Sequence, residues 1–248
     1  MGILLWAEFK KLRRSNMITF TIFATILIAV IVLVSGVTTV SKDQLTTNTV
    51  GWYMTITQVW ATIFILPAVI ALLGSYMICR EEQDDTLKSL KLIPVKEAKL
   101  TIAKMIVTLI FSILVYLLLF IITFTIEAVL HFSNLSMVVF LHFLKMYLLA
   151  GIGVFFAVSP IIAIVPYLKK SYWLALVLAE IYSFTALFMS MSNTLKTFYP
   201  ITAIFAVSGY YETTIQNWSC SFGVLVLCGF ISAVLLKKLN YRQKGKND

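Results

Sequence analysis

Charge is the scarcest property of this 248-residue chain, in which only 12% of residues are Asp, Glu, Lys or Arg, about half the share found in an ordinary water-soluble domain. Thirty-one charges cannot solvate a 28 kDa globule that is 60% hydrophobic with a mean hydropathy of +0.93, so a soluble body is excluded. Cysteine is nearly as sparse. Cys79, Cys220 and Cys228 are odd in number and share no short spacing, which argues against a disulfide framework and a zinc knuckle. The two histidines, His131 and His142, have no HExxH context and are read as lacking a Cys or acidic partner at ligand spacing, which argues against a metalloprotease. Of ten glycines only Gly245 precedes a lysine, and Asn247 follows it, so there is no phosphate-cradling loop and no ATP hydrolysis on this chain. A GxSxG nucleophile is missing too. No catalytic residue, bound cofactor or metal is expected here.

What is abundant is uncharged length. Runs from Ser15 to Ser41, Gln44 to Cys79, Met105 to Ile126, Met146 to Leu168 and Thr213 to Leu236 each exceed the roughly 20 residues that cross a hydrocarbon layer as a helix. Ser171 to Met191, interrupted only by Glu180, is a sixth. The reading is an all-α integral membrane protein forming a single transmembrane domain over 1–248. Its spans are placed near 17–40, 52–79, 105–130, 146–168, 171–191 and 215–236. With the N-terminus inside, seventeen of the twenty basic residues fall in inner segments and only Lys42, Lys145 and Lys196 outside. Both termini are therefore expected in the cytoplasm, and the first span is expected to be a retained anchor. Bases lying between apolar runs form no patch for nucleic acid, so membrane lipid is the expected surface partner. The longest inner segment, 80–104, has 25 residues, below the size of a folded domain.

That inner segment is the informative one. Asp84 or Asp85 suits a helix N-cap and Pro94 disfavours helix at Ile93, which predicts a short helix of about two turns. On it Leu87 and Leu90 share a face beside Lys88 and Lys91, with Asp84 four residues before Lys88. A charged turn resting on lipid headgroups explains the pattern as well as a peg that fits a groove in a separate cytoplasmic protein. At the N-terminus Leu5, Trp6, Phe9 and Leu12 make an apolar stripe with Lys10, Lys11 and Arg14 facing away, the pattern of an interfacial helix over 1–16.

A basic amphipathic start ending in Lys10-Lys-Leu-Arg-Arg14, six spans, and a first inner loop reading Glu82-x-x-Asp-Thr-Leu, then Ile-Pro-Val and Lys104, resemble the permease subunits of type-2 ABC exporters. Within these, the chain is most similar to the permeases of lantibiotic immunity and bacitracin resistance transporters. Many members have Gly before the Thr, where this chain has Asp85. The resemblance implies a bacterial cell membrane, a second permease, identical or homologous, and two cytoplasmic ATP-binding subunits that carry the ATP and magnesium. It implies docking of those subunits on the coupling helix through Glu82, Asp84, Asp85, Thr86, Leu87, Leu90 and Pro94. Trp6, Phe9 and Lys10 would form a secondary contact. The implied cargo is an amphiphilic peptide antibiotic and the implied role self-immunity or resistance.

The remaining signals are polar groups and helix breakers. A carboxylate at Glu180 costs on the order of 3 kcal/mol at mid-membrane, so it should face protein or water. A hydrogen bond to a neighbouring span or partner permease is one reading, and lining a substrate path with Tyr182 and Phe205 the other. Glu127, and Lys145 with His142, read as interfacial snorkelling groups. Pro67 interrupts the second span, and Gly151, Gly153, Pro160 and Pro166 gather in the fourth, where lost backbone bonds must be recovered from neighbours. The apolar stretch from Lys196 to Glu212 is too short to cross and reads as an outer re-entrant or interfacial element, with Tyr199, Phe205, Tyr210 and Tyr211 as an aromatic lid. Two rival functions stay open: an ion-coupled secondary transporter using Glu180, and a non-transporting assembly or sensor subunit.

Overall fold

The computed structural model describes residues 2–13, 15–40, 51–83, 97–131, 136–168 and 172–244, and their regular structure is entirely helical. In chain order the helices are α1 (Gly2–Arg13), α2 (Asn16–Val40), α3 (Trp52–Trp60), α4 (Leu66–Gln83), α5 (Glu97–Leu130), α6 (Met137–Ile164), α7 (Trp173–Met189), α8 (Asn193–Phe198), α9 (Pro200–Ser208) and α10 (Ile215–Lys244). A π-helical turn, Ala61–Ile65, joins α3 and α4 into one rod, and a 3-10 turn, Val165–Leu168, extends α6.

Five of these units are long and apolar enough to cross a membrane: Asn16–Gly36, Trp52–Arg80, Ala98–Leu130, Met137–Leu168 and Ile215–Lys238. The sixth expected span, α7, is apolar but has 17 residues, about 26 Å of helix against a hydrocarbon layer of about 30 Å. Three boundaries also move, one of them the end of α10, which runs on to Lys244 instead of stopping at Leu236. α5 begins at Glu97 instead of Met105 and absorbs Lys99 and Lys104, and α6 begins at Met137 instead of Met146, so His142 and Lys145 lie inside it. Backbone hydrogen bonding continues past the apolar segment wherever nothing breaks it. At α6 the chain is stopped by a cap, Ser136 Oγ accepting from the Val139 amide at 3.3 Å.

α6 is the central post, packed by α5, α10, α9 and α4. Its two glycines permit this. A Cβ on Gly151 would sit 3.3 Å from the Ile113 Cα of α5, and one on Gly153 would press on Ile204 of α9 at 3.2 Å. The two mid-helix prolines have their missing N–H bonds replaced by serines. Pro67 leaves the Ile63 carbonyl open, and Ser183 of α7 donates to it at 2.6 Å. Pro160 leaves the Phe156 carbonyl open, and Ser159 donates to it at 2.9 Å. The segment 196–212, expected to be too short to cross, forms α8 and α9. Residues 201–208 are all buried, with α9 packed on α6 and α10, Pro200 opening its first turn and Gly209 closing it at φ +87°.

Candidate functional site

At the basic end of the bundle α1 lies against α5. The expected apolar stripe of α1 divides in the structure. Leu12 and the whole of Glu8 are buried, and the Glu8 carboxylate is paired with Lys11 at 2.9 Å, while Trp6 and Phe9 stay exposed with Ile3 along an i, i+3 row. Lys10 caps that row, its ammonium 4.6 Å from the Trp6 ring centre. Arg80, in the last turn of α4, lies 5.5 Å from the ring of Tyr76. Glu82 belongs to the last turn of α4. Asp84, Asp85, Thr86, Leu87, Leu90 and Pro94, and with them the expected coupling helix, fall outside the described residues.

The three residues expected to line a path do not share a surface. Glu180 and Tyr182 are two positions apart on α7, about 200° around the helix. Tyr182 faces α8 and α9, its carbonyl accepting from the Tyr199 hydroxyl and the two rings 5.2 Å apart. Phe205 is buried on α9 beneath Tyr210 and Tyr211, at ring distances of 5.4 and 5.9 Å. The rings expected to form a lid are thus in contact with one another, and Lys196 sits 3.3 Å from the centre of the Tyr211 ring. Burial pushes the Tyr211 phenol above its usual value, with its neighbour Tyr210 adding to the effect.

Glu180 is half-buried on the opposite seam of α7, between the inward row of Ala175, Ala179, Ser183 and Ala186 and the outward row of Val177, Ile181, Phe184 and Phe188. It has no hydrogen bond or ion pair among the described residues. Beside it an aromatic run crosses from the second rod to α7: Trp60 on Phe64 at 5.0 Å, Phe64 on Phe184 at 6.0 Å and Phe184 on Phe188 at 6.2 Å.

One constellation escaped the sequence reading. Glu127 is not a snorkelling group: it is completely buried. Its Oε1 accepts from the Gly51 amide at 2.8 Å and lies 2.9 Å from His131 Nδ1, while Oε2 has no hydrogen-bond partner among the described residues. His131 therefore does have an acidic partner, one helical turn upstream. Below this pair a polar row descends one face of α5. Thr123 bonds the Tyr147 hydroxyl, which in turn donates to the Met54 carbonyl at 2.7 Å. Tyr116 meets Thr62 of the π turn at 2.8 Å. Ser112 donates to the Gly151 carbonyl at 2.7 Å, and Thr108 faces the Met77 sulfur at 3.8 Å. The signal was legible as spacing, since Thr108, Ser112, Tyr116, Thr123, Glu127 and His131 recur at intervals of four and seven, which is one helical face. Gly51 was not legible, because nothing local says that its amide reaches a residue 76 positions away.

A bundle of five long apolar helices with a shorter sixth is the build of a multi-pass membrane protein. Residues 4–186 match the family described as ABC-2 family transporter protein, and the chain belongs to that family. Its members are membrane permeases that associate with ATP-binding subunits and have no ATPase activity of their own. The particular relative is the bacitracin transport permease protein BCRB of Bacillus licheniformis, to which the chain is 27% identical over 152 residues, covering 61% of this chain and 72% of that protein.

Proposed function

We propose that the chain is the membrane subunit of an ATP-driven exporter, with two copies of a cytoplasmic ATP-binding subunit and a second permease completing the assembly. The ATP-binding subunits carry ATP and magnesium, and both termini of this chain face them from a bacterial cell membrane. ATP-driven closure moves the segment 84–96, and α4 and α5, which flank it, pass the movement to the bundle. The exposed row Ile3, Trp6 and Phe9 on α1 offers a second contact close to α5. The sixth crossing is made by α7, and α8 with α9 re-enters from the outer side.

The observation that carries the pairing of two permeases is Glu180. A carboxyl group at mid-membrane requires protein or water beside it, and Glu180 lies half-buried on a seam of α7 next to an exposed aromatic run, with no hydrogen bond or ion pair among the described residues. A second permease against that seam supplies the missing surroundings, and the seam between two copies is where cargo would run. The relative named for bacitracin transport supports an amphiphilic peptide antibiotic as cargo, with resistance or self-immunity as the role. The test is copurification of differently tagged copies from mild detergent, together with transport by a variant carrying Leu87→Asp and Leu90→Asp. An ATP-binding subunit should leave with the wild type, and transport should be lost in the variant while the permeases still pair. Transport that survives ATP depletion and collapses with the ion gradient would assign the work to Glu180 in a secondary transporter instead.

A further inference from the structure

Between α5, α6 and α10, at the basic end of the bundle, lies a cavity of about 530 Å³ that opens sideways, within the roughly 300–1,000 Å³ range of small-molecule sites. It exists because α5 and α10 each pack on α6 but scarcely on one another. Its floor is Phe155 and Phe156, and Gly229 of α10 admits Phe156, whose ring would lie 2.8 Å from a Cβ at that position. Along α5 the walls run from Ala98 through Ile102, Met105 and Ile106 to Leu109. At 1.5 Å per residue this is about 16 Å, close to half of a hydrocarbon layer about 30 Å thick.

The polarity of the walls is graded. The hydroxyls that line the groove are already committed within the chain: Ser159 to the Phe156 and Cys228 carbonyls, Ser232 to the Gly229 carbonyl at 3.0 Å, and Thr101, nearer the mouth, to a partner of its own. Only an apolar occupant suits the depth of the groove. At the mouth stands Lys237, exposed, with Lys238 following it and Lys99 one residue beyond Ala98, and among the described residues no acidic one lines the cavity. A long apolar slot one leaflet deep with a cation at its rim is complementary to one class of molecule.

We infer that this groove holds an anionic phospholipid of the adjoining leaflet, an acyl chain lying along α5 and the headgroup phosphate at Lys237. The site is independent of how the permease pairs or what it transports. The intact chain in mild detergent is equilibrated with an equimolar mixture of phosphatidylglycerol and phosphatidylcholine, recovered by its tag, and its bound lipid extracted and counted by mass spectrometry. The wild type retains about one phospholipid per chain, with a roughly fivefold preference for phosphatidylglycerol, the effect of one lysine at a headgroup. Ala233→Trp, a groove-lining change at an exposed position, abolishes retention, and Ile106→Trp does the same from the opposite wall if the first variant does not elute as a single species. Lys237→Gln retains lipid and loses the preference. A wild type without retained lipid, as when a helix or cargo fills the groove, overturns the assignment. Retention unchanged by both tryptophans, or a preference unaffected by Lys237→Gln, does so as well.

Discussion

The rod Trp52–Arg80 and the last helix, Ile215–Lys238, have nearly the same hydropathy, 2.2 and 2.3, yet 78% of the first is buried inside the bundle and only 22% of the second. Mean hydropathy therefore says that a segment prefers lipid to water and nothing about whether it meets lipid or protein. What separates them is where the polar side chains point and what they reach. The rod sends Tyr53 to the Ala29 carbonyl of α2, Thr62 to Tyr116 of α5 and Gln58 toward the Met146 carbonyl of α6. The last helix sends Ser219 and Ser232 back to its own carbonyls, reaches sideways with Ser221 to the Thr197 carbonyl of α8 at 3.2 Å, and turns Phe222, Val226, Leu227, Phe230 and Ile231 outward. Between helices in lipid, hydrogen bonds and close packing replace the hydrophobic drive of water, so the rod that bonds sideways becomes the core.

The contrast can be broken most forcefully at its buried end. Gly51→Val places a branched residue at φ +86°, with its Cβ 2.5 Å from the Phe143 ring. It should destabilise the bundle by more than 3 kcal/mol, read as loss of the folded species in a denaturant titration in detergent. Glu127→Leu removes the acceptor of the buried Gly51 amide and should lower stability by about 2 kcal/mol, measurable in the same titration. Glu127→Gln, which keeps a carbonyl oxygen for that amide, should recover most of the loss. Ser183→Ala leaves the Ile63 carbonyl unpaired beside Pro67, and a loss of about 1 kcal/mol is expected. At the rim, Val226→Ala and Leu227→Ala should each change stability by less than about 0.5 kcal/mol. A large loss at these two positions would mean that the last helix is covered by protein instead of lipid, and would overturn the contrast itself.

How much of this was legible follows the same physics. The apolar runs gave the long helices almost residue by residue, because hydrocarbon allows a spanning backbone few forms other than helix. Boundaries at α5 and α6 slipped by eight and nine residues, since charges such as Lys104 and Lys145 mark the end of apolar composition while the helix continues through the interfacial layer. Pro67 and Pro160 announced bends, but the serines that close them sit on another helix in one case and on the same turn in the other. The sequence reading treated Glu127 as a surface charge by its position near a helix end. Its burial depends on Gly51 folding over it, a contact between distant segments with no local trace. Glu180, Tyr182 and Phe205 were grouped by chemistry, and helical geometry sends them to different sides.

The serine that closes the second rod has a mechanical consequence. Straightening the rod at its π turn, or sliding α7 away from it, would strand the Ile63 oxygen in hydrocarbon without a donor. The bend is thus a locked elbow and not a spring, and any stroke that moves one of these two helices must carry the other with it as a single lever arm.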